Sequence, residues 1–144
     1  MPFELVDEVA TADAEFRAWG PDLEEVFRAA GDATMNVMVR DLATIGPRER
    51  REVALTHPAA DLLLLNFLQE LIYYKDAEGL MLRPERVEVS RGEDGDYRVR
   101  GVLAGEALDP GRHEQGADVK AVTLHRFSVE PTADGWAAYA LLDI

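Results

Sequence analysis

The chain has 144 residues, 15 of them Lys or Arg and 28 Asp or Glu, for a formal net charge of −13. One domain of this length buries roughly 70% of the surface its unfolded chain exposes, and a hydrophobic fraction of 47% is ordinary for such a domain, so a disordered chain is excluded. The negative balance repels nucleic-acid phosphates within about 8 Å at physiological salt; direct RNA or DNA binding is not expected, and a cation or a basic protein partner is. There is no cysteine, which removes disulfides, thiolate nucleophiles and zinc-thiolate sites. The opening Met1-Pro2-Phe3-Glu4-Leu5-Val6-Asp7-Glu8 lacks a basic stretch followed by an apolar run. No apolar run approaches the roughly 20 residues of a membrane span. The expectation is a cytoplasmic protein.

Residues 2–9 alternate loosely, with Phe3, Leu5 and Val9 among acids, and residues 14–19 alternate cleanly, Phe16 and Ala18 opposite Glu15 and Arg17. Both stretches read as short strands, joined by the small polar link Ala10-Thr11-Ala12-Asp13. Gly20-Pro21-Asp22 opens a helix, with Pro tolerated in its first turn and Glu24 and Glu25 placed well for its dipole. Leu23, Val26, Phe27, Ala30, Thr34, Val37, Met38 and Leu42 follow at helical spacing, and Gly46-Pro47 marks the stop. Arg50 to Leu55 reads as a strand. His57-Pro58 then leads into a second helix over about 58–76, its core face carrying Leu62, Leu65, Phe67 or Leu68, Leu71 and Ile72. Leu63, Leu64, Tyr73 and Tyr74 widen that stripe, which predicts deep burial, and Gly79 ends the helix. Strands follow around Val87 and Val89, over 97–104, 121–130 and 136–143. An Asp94-Gly95 hairpin turn, a turn-rich loop from Leu108 to about Asp118 and a second turn at 132–135 separate them. Strands cluster instead of alternating with helices. That order, β-β-α-β-α-β-β-β-β, predicts an α+β fold: one domain over residues 1–144, a sandwich of mostly antiparallel or mixed sheet with two main helices.

The last strand is the most informative segment. Trp136, Ala138, Ala140 and Leu142 share one face; Ala137, Tyr139, Leu141 and Asp143 share the other. Asp143 therefore falls at the margin of the core, one residue from the carboxylate of Ile144. Two such charges repel unless a cation joins them, and hard cations such as calcium take carboxylate and carbonyl oxygens. Spacing alone favours the plainer reading, an Asp closing a strand beside a fraying tail. Asp13 is a second candidate ligand in its small-residue link, or an ordinary turn aspartate. Lys120 enters a strand from a loop, as solvated edge charges do. His57, His113 and His125 show none of the spacings that pair imidazoles on a helix face. Asp61, Glu70, Asp76 and Glu78 read as exposed helix charges. No glycine-rich phosphate cradle or nucleophile elbow is present, and nothing assembles a nucleophile, a base and an oxyanion hole. An enzyme in its own right is not expected.

Taken together, the segments resemble the archease family, protein partners of RtcB-type RNA ligases. The matching stretches are Thr11-Ala12-Asp13, Leu23-Glu24-Glu25-Val26-Phe27, Leu62-Leu63-Leu64 to Glu70-Leu71, Asp76-Ala77-Glu78-Gly79-Leu80, and Gly105 to Asp109 with Arg112-His113. Val119-Lys120-Ala121-Val122-Thr123-Leu124-His125 and the final Leu142-Asp143-Ile144 are the most specific. The resemblance implies an activator that promotes guanylylation of the ligase by GTP and multiple turnover in tRNA splicing and RNA repair. It implies a divalent metal, calcium or, in the working complex, manganese, on Asp13, Asp143 and Ile144, and it associates Lys120 with ligase activation. One position departs: the family's His-Thr-Ala-Asp is Ala10-Thr11-Ala12-Asp13 here, which removes an imidazole and keeps the carboxylate. The competing readings are a metal-stabilised chaperone-like module and a metal-dependent phosphoester enzyme using Asp13 and Asp143 as ligands and Lys120 as phosphate contact.

Overall fold

A helix packed between two sheets needs a broad apolar face, and each of the two helices of this chain buries one. The computed structural model describes residues 2–6 and 13–144. In chain order the elements are β1 (Phe3–Val6), β2 (Asp13–Gly20), α1 (Leu23–Met38), a 3₁₀ turn (Leu42–Thr44), β3 (Glu49–His57) and α2 (Ala60–Glu78). Then come β4 (Leu80–Arg91), β5 (Tyr97–Ala107), β6 (Ala121–Val122), β7 (Ser128–Thr132) and β8 (Gly135–Asp143). One sheet runs β1-β2-β8 with β6 and β7 both on the far edge of β8, and the other runs β3-β5-β4. All the pairings are antiparallel. Both helices pack against strands of both sheets, so the expected α+β sandwich has its helices as the filling.

The burial follows. In α2 the residues Leu63, Leu64, Leu65, Phe67, Leu68, Leu71 and Ile72 are all buried, too many for one stripe. The most buried line is rotated from the expected one: Leu63 and Leu64 are fully buried and Leu62 only half. In α1 small residues do the same work, since Ala29, Ala30, Gly31 and Ala33 let β4 come close. A Cβ on Gly31 would lie 2.4 Å from Cγ of Pro84. On the first sheet Phe16, Ala18, Ala140 and Leu142 face the helices, which leaves Glu15, Arg17 and Tyr139 on the outer face, as the alternation predicts.

Several boundaries move, each for a physical reason. Helix α1 stops at Met38, not at Gly46-Pro47. Its last carbonyls are met by a distant loop, Gly116 N–H donating to Met38 O at 2.8 Å and Ala117 N–H to Val37 O at 3.0 Å, while Asn36 Nδ2 donates to Val39 O and Arg40 O. At the other end Asp22 accepts from Glu25 N–H as the N-cap, so Pro21 stands outside the helix. Strand β4 begins at Leu80, seven residues before Val87. The strand expected over 121–130 is two: between Val122↔Leu142 and Ser128↔Tyr139 one chain advances six residues and its partner three. The surplus forms a turn with Arg126 at φ 59°. Asp13 is the first residue of β2, not part of a link; Val9, Ala10, Thr11 and Ala12 lie outside the described residues. His57 ends β3, and its Nδ1 accepts from Ala59 N–H at 2.9 Å, where α2 has no side-chain cap of its own. Gly79 closes α2 at φ 68° as expected. Among the described residues no helix is long and apolar enough to cross a membrane.

Candidate functional site

The pairing of β2 with β8 sets Asp13 directly opposite Asp143. Residues so paired point to the same face, with Cβ atoms about 5 Å apart. Here that is the outer face, because the next residues inward, Ala14 and Leu142, turn to the helices, and Leu142 is fully buried. On the other flank of β8 Ala121 stands opposite Asp143, and Lys120 N–H donates to Asp143 O at 2.7 Å. Asp143 is thus the middle residue of a three-stranded sheet end, with Asp13 on one side and the Lys120 limb on the other. Ile144 does not fray. Its side chain is half-buried against the core and lines a cavity of about 320 Å³ with Ala14, Val37 and Gly116. All four residues singled out in the sequence therefore meet at one sheet end.

Among the described residues the ion pairs engage other acids, and neither Asp13 nor Asp143 has a cationic partner. Two like charges facing each other across a strand pair are a natural seat for a hard cation. The side-chain count is short, since no group of three His, Cys, Asp or Glu that could hold a metal occurs among the described residues. The main chain of Ile144, next in sequence to Asp143, would offer a third oxygen donor to a bound cation, and one wanting six to eight oxygens would complete its shell with water or a partner's atoms. The residues present fit an open, carboxylate-rich site.

Lys120 lines a groove of about 490 Å³ with Gln69, Ile72, Tyr73 and Asp76 of α2; Tyr73 is 58% exposed. The chain just before it is anchored by a residue the sequence reading passed over. Lys75 has a side chain 7% exposed, and its Nζ lies 2.6 Å from Asp118 Oδ1, 2.6 Å from Val119 O and 2.8 Å from Asp76 Oδ1. Burial pulls its pKa down, and hydrogen bonds to Asp118 and Asp76 more than reverse that, leaving it above the ordinary lysine value. A signal was available: Lys75 follows Leu68, Leu71 and Ile72 at seven, four and three residues, on the buried face of α2.

A second polar cluster sits on the other sheet. Glu106, near the end of β5, has a side chain 5% exposed. It accepts from Gly46 N–H at 2.6 Å, from Arg48 Nε at 3.1 Å and from Arg112. His113, fully buried, accepts from Asp109 N–H through Nδ1 at 2.9 Å, so Nε2 carries its proton and donates to Glu106 Oε2 at 3.1 Å. The Gly46 N–H first and Arg112 next draw the Glu106 pKa down to about 2. The sequence places His113 in a turn-rich loop and assigns Glu106 no role; their spacing of seven residues carries no local pattern. A cavity of about 690 Å³ opens beside them, between Arg48, Leu80 and Arg112.

Fold and site together define a class: a small acidic α+β protein that sets two facing carboxylates without a cationic partner among the described residues at an open sheet end. The chain matches the model of the Archease protein family (MTH1598/TM1083) over residues 3–144. It is 39% identical over 134 residues to the Protein archease of Methanosarcina acetivorans, covering 93% of this chain and 91% of that one. To the Protein archease of Thermococcus gammatolerans it is 39% identical over 135 residues, covering 93% and 94%. The solved structure of Methanobacterium thermoautotrophicum protein 1598 superposes with a TM-score of 0.83 at 34% identity, covering 99% of both chains. An archease of Thermotoga maritima, described as a possible chaperone, shares the fold at a TM-score of 0.57 and 17% identity, covering 96% of this chain and 94% of its own. The chain belongs to the archease family.

Proposed function

We propose that this protein activates an RtcB-type RNA ligase in the cytoplasm, promoting its GTP-dependent guanylylation and its multiple turnover in tRNA splicing and RNA repair, with no turnover of its own. The observation that carries the reading is the register at the sheet end, where Asp13 faces Asp143 and the Lys120 amide is bonded to the Asp143 carbonyl, in a chain of this family. Asp13, Asp143 and the Ile144 carboxylate are the ligands of a divalent cation, calcium or manganese. When bound, that cation supplies positive charge and Lewis acidity at the sheet end. The incomplete protein shell leaves positions for a partner's oxygens. Lys120 presents its ammonium, at the groove beside α2, to a carboxylate or phosphate at the ligase's nucleotide site. A net charge of −13 steers the protein toward the basic surface a ligase uses for RNA and keeps it off the RNA itself.

The test is turnover of a cognate ligase with GTP and manganese, with and without this protein. Many product equivalents per ligase are expected only with it. Asp143→Asn and Lys120→Ala are each expected to abolish the stimulation, and a residue added after Ile144 to weaken it. Stimulation that survives Asp143→Asn and the added residue would sink the metal-site reading. Phosphoester turnover by this protein alone would favour the enzyme reading. Protection of unrelated proteins from aggregation, with the ligase unaffected, would favour the chaperone-like one.

A further inference from the structure

Resting on that reading of Lys120, the geometry points to Lys75 as its positioning residue: a buried ammonium on α2 that clamps the peptide group between Val119 and Lys120 against the end of β8. The carbonyl of Val119 and the amide of Lys120 belong to one planar peptide unit, whose C=O and N–H point in opposite directions. The C=O accepts from Lys75 Nζ at 2.6 Å, and the N–H donates to Asp143 O at 2.7 Å. The unit is pinned from both sides, by a helix on one and by the candidate metal ligand's own backbone on the other. Its plane fixes the line of the Lys120 N–Cα bond, about which the side chain then takes its direction.

The cost of the arrangement argues for its purpose. A lysine with 7% side-chain exposure is held charged only because three oxygens meet its three N–H donors. An apolar residue at the same place on α2 continues the face of Leu68, Leu71 and Ile72 without that desolvation. Two of the three oxygens, Asp118 Oδ1 and Val119 O, lie on the limb that leads into Lys120. Gly116 and Ala117 tie the start of that limb to the end of α1, and beyond them it has little else to order it. Asp118 is 66% exposed in its side chain, residues 116–120 form no strand, and β6 is two residues long. Beyond Ala117 the fully buried Val119 side chain adds to the clamp. Lys75 does not line the groove or touch the carboxylate pair; it meets the groove's residues through its ion pair to Asp76 and through the peptide group that leads into Lys120.

The experiment compares Lys75→Met, close in volume and without charge, with the native protein. Three readouts are taken: amide hydrogen exchange, manganese titration and stimulation of the ligase. The expected result is exchange at Lys120 and Ala121 faster by at least about tenfold, the factor that losing one charge-assisted hydrogen bond implies. Exchange in β2 and manganese affinity are expected to be unchanged. Ligase stimulation should fall toward the level of Lys120→Ala, and the double variant should be no worse than Lys120→Ala alone. Unchanged exchange at Lys120 overturns the clamp. Faster exchange with full stimulation overturns the positioning role. Additive losses in the double variant do so too, because they place Lys75 on a separate path. If the native protein fails to stimulate any ligase, the function above fails while the exchange result still decides the clamp. If Lys75→Met does not fold, Asp118→Ala carries the test: the ammonium turns toward Asp76, the Lys120 amide exchanges faster, and an unchanged rate overturns the proposal.

Discussion

At the end of β5 the carboxylate of Glu106 is nearly sealed from solvent and receives a backbone N–H, two guanidinium groups and an imidazole N–H. At the end of β2 and β8, Asp13 and Asp143 stand half-exposed side by side with no cation from the described residues beside them. The first carboxylate is over-supplied with donors and the second pair is starved of them. The first is finished by the fold and ties the 108–113 turns to the Gly46 loop. The second is left unfinished by the described residues, as the proposed cation site requires. The larger cavity accompanies the finished cluster, while unsatisfied charge marks the sheet end as the candidate site.

The largest expected effect of breaking this contrast is at Glu106. Glu106→Ala strips partners from the Gly46 N–H, from His113 Nε2 and from two guanidinium groups at once, and a buried donor left without a partner bears its full desolvation penalty. A large fall in Tm is expected, together with loss of order in residues 108–113, measured by thermal denaturation and amide exchange. A Tm within a degree or two of the native protein would mean the cluster is decoration. A second effect is pH-dependent. Folding lowers the Glu106 pKa from 4.5 to about 2, so its contribution is complete above about pH 4.5 and is lost as pH falls toward 2. Denaturant midpoints measured down through that window should drop in the native protein. In Glu106→Gln, which starts lower, the drop should be shallower.

Sequence reading recovered what is local and missed what is made by contact between distant segments. The alternation of β2 and β8, the turns at Gly79 and Asp94-Gly95 and the apolar mass of α2 were legible because each rests on spacing or turn chemistry within a few residues. The end of α1 was not, since Met38 is capped by Gly116, almost eighty residues away, and nothing beside Met38 announces it. The same holds for the site. Asp143 and Ile144 stand out as a polar end to an apolar strand; Asp13 and Lys120 are weaker candidates by spacing, and family resemblance gives them their roles. Only the register of β2 on β8 makes Asp13 and Asp143 neighbours. The place of Lys75 on the buried face of α2 is legible in its spacing from Leu68, Leu71 and Ile72, but its partners, 43 and 44 residues away, are not, and those of His113 lie across a turn of no recognisable spacing.

The smallest effect gives the sharpest test, because its sign reverses. Asp13→Asn removes one of two facing negative charges, and like charges directly opposed across an antiparallel pair cost roughly 0.2–1 kcal/mol. Without divalent ions the variant is therefore expected to be as stable as the native protein or slightly more so, the reverse of Glu106→Ala. Calcium or manganese should invert the order. A cation that binds only the folded state stabilises it by about 2.7 kcal/mol at a hundred times its dissociation constant, and the variant forfeits most of that along with a ligand. Melting curves of the two proteins should thus cross as the cation is titrated in, the native Tm climbing and the Asp13→Asn Tm staying nearly flat. A variant that is less stable without the cation would show that Asp13 is already satisfied by the fold, as Glu106 is. A native Tm that ignores both cations would show that the open sheet end is filled by something else.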